Sequence, residues 1–419
     1  MYVEEDMKRQ LIPVLLGSLL GIATATANAA PVELNVSAWK GGAAEPAAVP
    51  ELIAKFEKEN PDIKIKFDYI ARNDTTTILS SRLQGGSAPD VMMVDRPLMR
   101  QWASAGQLLD LSGDPAIGRL SADVKPLAQV GGKTFMMPME IVGIGMFANM
   151  DLLKKAGVEH VPTTIGEMKA TCGKLRAAGI TPLLLPAKDG WAPAMLALSM
   201  GLAPSVKANP AFVSEVVSGK QKFSASPNFK QAIASVKELA EAKCFDPKLN
   251  VGIDPWGLGL TEFTAGRVAM MPQGAWSIQK MTVDGKAVNF AFAPLPGLDG
   301  GKASGIDLLG TAWAVNASTK NATAAKRWVQ FWTKDENLGK FLQAEAAFSP
   351  FVDGAIRLPK SAQLYADARK AGNTVPHPKG DVSAAFIQEM QKSMTAYLLN
   401  INQDSTAVLA RWDNAPQQQ

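Results

Sequence analysis

Apolar residues in the first part of the chain recur with two alternating periods. Leu34 to Ala38 reads as a short strand, after which Val49, Leu52, Ile53 and Phe56 fall at helical spacing until Asn60-Pro61 stops them. Ile63, Ile65, Phe67 and Tyr69 then alternate with polar residues, the pattern of a half-buried strand. A helix is predicted from about Asp74 to Gln84 on Ile78, Leu79 and Leu83, ended by Gly85-Gly86. The apolar run Val91 to Val94 follows, then a helical stretch through Trp102. Strand and helix taken in turn imply a parallel sheet with right-handed crossovers.

The middle of the chain repeats this style with different elements. Thr164 and Glu167 form a capping box, Gly179 stops the helix they start, and Ile180 to Leu185 is a strand with Pro at its edges. Phe229, Ile233 and Val236 mark another helix, and Arg267 to Met271 a short strand running into Pro272-Gln273-Gly274-Ala275-Trp276. Late helices are expected over about Thr323 to Thr333, Val382 to Leu398 and Ser405 to Trp412, with Pro416 to Gln419 as a frayed tail. No short internal repeat and no long low-complexity linker divides the chain.

Composition changes the picture in three ways. The chain has 419 residues, 47% hydrophobic and 20% charged, with net charge +4, which is globular and long enough for more than one domain. So small and dispersed a charge argues against nucleic acid as a partner. Two cysteines and two histidines, His160 and His377, leave little for a zinc or histidine-rich metal site, and neither a metal nor a cofactor is expected.

The amino-terminal pattern is that of an export signal. Lys8 and Arg9 are followed by an uncharged apolar stretch from Leu11 to Ala23 and by Ala27-Asn28-Ala29, so cleavage is expected after Ala29. Glu4, Glu5 and Asp6 oppose the positive start, which favours Met7 over Met1 as the first residue. The run Gly190 to Val206 is broken by Gly, Pro and Ser and is not expected to span a bilayer, so the product should be soluble and periplasmic. In that oxidising setting Cys172 and Cys244 fit either a bridge or two buried thiols.

Catalytic-looking motifs fail on their chemistry. Gly132-Lys133-Thr134 lacks the glycine a phosphate loop needs, since Leu127 stands there. Gly143-Ile144-Gly145-Met146-Phe147-Ala148 lies inside an apolar, strand-like segment and not at a turn that opens a helix. No G-x-S-x-G elbow is present, and no catalytic residue is assigned.

Aromatics and charges at strand ends remain. Trp39 and Lys40 fall just past the first strand, Asp95 and Arg96 just past the third, where open parallel sheets bind ligands. Read singly, Asp95 is a helix cap and Trp39 is core; together they mark a rim. Trp191 follows Lys188-Asp189-Gly190, and Trp256 and Trp276 stand beside Gly or Pro in turn-like contexts. Indoles in loops, near carboxylates and guanidinium groups, suit a sugar: the ring covers the C–H face of a pyranose while the charged groups bond its hydroxyls. Trp102, Trp328, Trp332 and Trp412 read as structural.

A set of ordered motifs then resembles a known family. They are Gly85-Gly86-Ser87-Ala88-Pro89-Asp90-Val91, Ala105-Gly106-Gln107-Leu108-Leu109-Asp110-Leu111, Gly132-Lys133 before Met137-Pro138, and Phe147-Ala148-Asn149-Met150-Asp151-Leu152-Leu153. Phe263 to Met270 running to Gly274-Ala275-Trp276, and Trp313-Ala314-Val315-Asn316, complete them. The chain resembles the sugar-binding proteins of bacterial ABC importers, the group that includes maltose-binding protein, from about Val32 to Asn414.

The resemblance implies an α/β, two-lobed periplasmic-binding-protein fold, each lobe a mainly parallel sheet flanked by helices. Residues 30–141 with 311–348 would form the N-terminal lobe, and residues 142–310 with 349–414 the C-terminal lobe, leaving 415–419 as tail. Three hinge crossovers would lie near Glu140 to Gly143, Leu308 to Ala312 and Phe348 to Val352. It also implies that Asp95 and Arg96 bond sugar hydroxyls, that Trp276 stacks, that Glu140 faces the cleft, and that Trp191 and Phe386 supply further rings. Trp39 and Lys40 would form the first ligand loop, and Trp256 joins the list as a loop indole. Ala148 and Met150 depart from the usual Tyr-Asn-Lys sequence, which leaves the sugar unnamed.

The expected function is delivery of a small-molecule sugar to the transmembrane permease subunits of an ABC importer, by a monomeric, non-enzymatic protein. Two alternatives are an exported glycosidase using Asp95 and Glu140, and a protein of the same fold binding another solute, such as a phosphorylated polyol, through Arg96 and Lys40.

Overall fold

Val32–Ala38, the first alternating segment, is a strand that pairs in parallel with Ile63–Tyr69 and with Val91–Val94. The computed structural model describes residues 30–43, 46–283, 286–354 and 358–416; the expected export signal and the last three residues lie outside them. Val91–Val94 is buried at every position, which is why it reads as an unbroken apolar run. Helices Val49–Glu59 and Arg72–Gln84 connect these strands, the first burying Val49, Leu52 and Phe56. Ala312–Val315 and Met137–Pro138 extend the sheet on its other side, antiparallel.

A second sheet is ordered Thr374–Pro376, Gly305–Leu309, Ile141–Asn149, Val268–Gly274, Thr181–Leu183, with Phe290–Ala293 also paired to Ile141–Asn149. Its central pairings are antiparallel, and only its two outer pairs are parallel. Mainly parallel sheets were expected from the resemblance; both sheets are mixed, because strands that enter from the other lobe run against those that return to it. The run after Gly190 forms the helix Trp191–Ala208, which lacks an amphipathic pattern because nearly every face of its first turns is buried. Among the described residues no helix is long and apolar enough to cross a membrane.

Two aromatic-rich cores result. One gathers Phe56, Trp313, Trp328, Phe331 and Trp332, and it continues to Phe147, Phe263 and Tyr365, so apolar packing runs through the junction of the lobes. The other gathers Phe212, Phe223, Phe229, Phe386 and Trp412. Cys172 and Cys244 form a disulfide that ties helix Ile165–Ala177 to the end of helix Pro227–Glu241, settling the open choice in favour of the bridge.

Two crossings lie side by side. Met139 N–H donates to Thr311 O at 2.9 Å and Gly310 N–H to Glu140 O at 3.0 Å. Phe348 exchanges backbone bonds with Ile141, but the chain stays on the first lobe beyond it. Ser121 N–H donates to Pro350 O at 3.0 Å and Val352 N–H to Arg119 O at 2.9 Å. The chain is therefore still packed on the first lobe at Asp353, past the Phe348 to Val352 segment, because Arg119 also pairs with Asp353. Tyr365 on helix Gln363–Lys370 already belongs to the second sheet, its hydroxyl donating to Ile306 O at 2.8 Å. Nor is the tail frayed at its start: Ala415 is buried and Pro416 O accepts from the Ser383 hydroxyl.

Candidate functional site

Chain direction decides what reaches the junction. Ala312 pairs with both Val94 and Pro138, so Val91–Val94 ends beside the strands that pass between the lobes. Val32–Ala38 runs parallel to it, which brings Trp39 and Lys40 to the rim that carries Asp95 and Arg96. In the second sheet Gly274 pairs with Ile144 and Leu309 with Ile141, so Val268–Gly274 ends toward the same junction with Trp276 just beyond. Thr181–Leu183 is parallel to that strand and leads to Trp191. Thr374–Pro376 is parallel to Gly305–Leu309 and leads to His377 and Asp381.

On the first-lobe rim Asp95 caps helix Arg96–Ser104 through Leu98 N–H at 3.2 Å, and it also pairs with Arg72 and, at 2.9 Å, with Lys379. Burial pushes this carboxyl up, but the Lys379 and Arg72 charges and its hydrogen bonds outweigh burial and hold it below the usual aspartate range. The Arg72 guanidinium lies 4.8 Å from the centroid of the Trp39 ring, which is itself almost fully covered. Arg96 pairs with Asp381 of the second lobe at 2.6 Å.

Trp191, Trp256 and Trp276 form one aromatic platform on the second lobe. Their ring centroids are 5.2 Å (Trp191–Trp256), 6.0 Å (Trp191–Trp276) and 6.2 Å (Trp256–Trp276) apart. Trp191 opens the helix Trp191–Ala208, and its N–H donates to Asp189 Oδ1 at 3.0 Å. The other oxygen of Asp189 accepts the Trp256 indole N–H at 2.9 Å. Asp254 accepts the backbone N–H groups of Trp256, Gly257 and Leu258, led by Gly257 at 2.7 Å, and these bonds lower its carboxyl. Gln273 donates to Pro255 O at 2.8 Å, tying the Trp256 turn to the strand that ends at Trp276. A Cβ on Gly274 would lie 2.2 Å from the Trp276 ring, so only glycine lets that indole fold back over the strand end.

Three expected ligand residues are enclosed within the protein. Lys40 is buried, with its ammonium on Glu345 and, at 2.9 Å, on Glu140. Glu140 is 1% exposed, and its Oε1 also accepts from the Thr311 N–H at 3.1 Å and hydroxyl at 2.8 Å. Both therefore belong to a buried ionic clamp on the two adjacent crossings, where a charge this far from water needs such partners. Phe386 is fully buried and stacks on Phe223 with centroids 5.3 Å apart, so it is a core residue of the second lobe. Trp39, Asp95, Arg96, Trp191, Trp256 and Trp276 are brought to the junction. Arg72, Asp189, Lys379 and Asp381 join them without having been expected; the signal for Asp189 was its place two residues before an indole. Among the described residues no His, Cys, Asp and Glu side chains group as a metal site needs.

The sequence pattern of the bacterial extracellular solute-binding proteins matches residues 40–338. The chain belongs to that family. An uncharacterized ABC transporter extracellular-binding protein of Pyrococcus horikoshii is 22% identical over 381 residues, 88% of this solute-binding protein and 78% of the relative. The maltodextrin-binding protein of Bacillus subtilis is 26% identical over 317 residues, covering 70% and 68% of the two chains. A putative binding protein of Brucella abortus is 26% identical, but the match spans 39% of either chain. A solved solute-binding protein in complex with raffinose superimposes with TM-score 0.76 at 20% identity, over 92% of this chain and 98% of that one. That likeness carries the two-lobed fold.

Proposed function

We propose that this solute-binding protein is the periplasmic sugar receptor of an ABC importer, exported by a signal cleaved after Ala29 and acting as a non-enzymatic monomer. The observation that carries the reading is the platform of Trp191, Trp256 and Trp276 at the junction of the lobes, to which chain direction also brings Trp39, Asp95 and Arg96. Indole faces take the C–H side of a pyranose, and charged donors at the rim take its hydroxyls. The relatives named for maltodextrin and raffinose point the same way. Sugar held by both lobes favours the closed form, because only that form offers both sets of contacts, and the closed form then docks on the permease.

Support for a binding role over glycoside hydrolysis comes from the carboxylates. A general acid must keep its proton near neutral pH, whereas Asp95 is held below the usual range by the Lys379 and Arg72 charges and its hydrogen bonds, which outweigh burial. A thermal-shift screen of the chain beginning at Ala30, against maltotriose, raffinose and chitobiose, tests the reading. A bound sugar at 100 times its dissociation constant should add about 2.7 kcal/mol of stability. No shift with any mono- or oligosaccharide would count against it.

A further inference from the structure

The loop between strand Thr374–Pro376 and helix Ala384–Leu399 reaches from the second lobe onto the first. Besides Lys379 on Asp95 and Asp381 on Arg96, Gly380 O accepts from the Arg100 guanidinium at 2.9 Å. Gly380 has φ +93°, and a Cβ there would come within 2.7 Å of Arg96 Cδ, so a residue without a side chain lets the loop lie flat on Arg96. His377 Nδ1 accepts the Lys379 N–H at 2.9 Å and fixes the turn that aims the lysine.

The polar capacity of Asp95 is taken up within the protein: Oδ1 holds Leu98 N–H and Oδ2 holds both cations. Its two partners are in the opposite condition. Arg72 commits one nitrogen to Asp95 and Lys379 commits its ammonium once, and their other N–H groups have no partner among the described residues. Both side chains keep substantial exposure, 40% for Arg72 and 34% for Lys379, against 7% for Asp95. We propose that Arg72 and Lys379 meet the ligand as a donor pair, one from each lobe, and that Asp95 is the positioning residue that holds them.

This deepens the sugar-receptor reading and rests on it. Such donors recognise ring and hydroxyl oxygens of a saccharide by charge-assisted hydrogen bonds. Because the pair spans the lobes, it is complete only when the lobes are together.

Calorimetric titration with maltotriose and raffinose, on the wild type and on Arg72→Met, Lys379→Met, Lys379→Arg, Asp95→Asn and Trp276→Ala, tests the proposal. Asp95→Asn keeps a side-chain oxygen able to cap the helix, removes the charge, and puts an NH2 donor in place of the oxygen that holds both cations. The proposal predicts losses of about tenfold or more for Arg72→Met, Lys379→Met and Asp95→Asn. It also predicts near-wild-type binding for Lys379→Arg, and a Lys379→Met, Asp95→Asn double variant little weaker than either single one. Wild-type affinity in both methionine variants, with Trp276→Ala impaired, overturns the donor pair and leaves the sugar reading standing; an unimpaired Trp276→Ala sinks the sugar reading itself. Small-angle scattering of the unliganded variants decides the lobe-spanning contact even if neither sugar binds. A larger radius of gyration for Lys379→Met and Asp95→Asn supports it, and unchanged radii refute it.

Discussion

Trp256 keeps 46% of its surface exposed, yet its backbone and its indole N–H are both fixed by carboxylates. Ordering an exposed ring costs side-chain entropy that burial does not offset, so the arrangement makes sense as preparation for a guest. Asp189→Ala removes the acceptor shared by Trp191 and Trp256. It should weaken sugar binding about tenfold and alter the near-ultraviolet dichroism of the indoles, with little change in melting temperature. Binding equal to wild type would show that the platform does not depend on that carboxylate. The three platform indoles were legible because each stands beside Asp, Gly or Pro in a turn, where a core ring has little reason to be. Phe386 was not, since Met390, Met394 and Tyr397 continue it as the apolar stripe of a core helix. Arg72 and Lys379 carry no local signal at all, because contact across the lobes creates their setting.

Among elements, the alternating strands and their connecting helices were readable wherever one face meets water, as at Ile63–Tyr69. The buried helix Trp191–Ala208 was not, because an element covered on nearly all sides has no periodicity to show. Strand direction in the second sheet was equally hidden, since it depends on which lobe each strand comes from. The disulfide is an element-level brace whose cysteines are 72 residues apart in the chain. Closing a loop of that length is worth about 4 kcal/mol in the chain-entropy account. Reduction, or Cys172→Ala with Cys244→Ala, should therefore lower the urea midpoint of the chain beginning at Ala30 clearly. An unchanged midpoint would mean the bridge adds nothing to this fold.

The whole molecule is two lobes joined by a buried ionic clamp at the crossings and by the 377–381 loop at the rim. His377 sits in that loop, where burial and then the charge of Lys379 lower its pKa from the ordinary 6.5 to about 3. The folded chain thus refuses a proton that the unfolded chain accepts. The stability this contributes is complete above pH 6.5 and is lost as the pH falls toward about 3. The urea midpoint should fall with acid across that window in the wild type and fall less in His377→Asn; an equal fall in both would place the acid sensitivity elsewhere.

Tryptophan fluorescence, titrated with maltotriose, raffinose and chitobiose on the chain beginning at Ala30, is the most direct test of a sugar gripped between the platform and the charged rim. The expected result is a saturable change with at least one saccharide, weakened about tenfold or more in Trp276→Ala. A flat titration with every saccharide, or an undiminished response in Trp276→Ala, would contradict it.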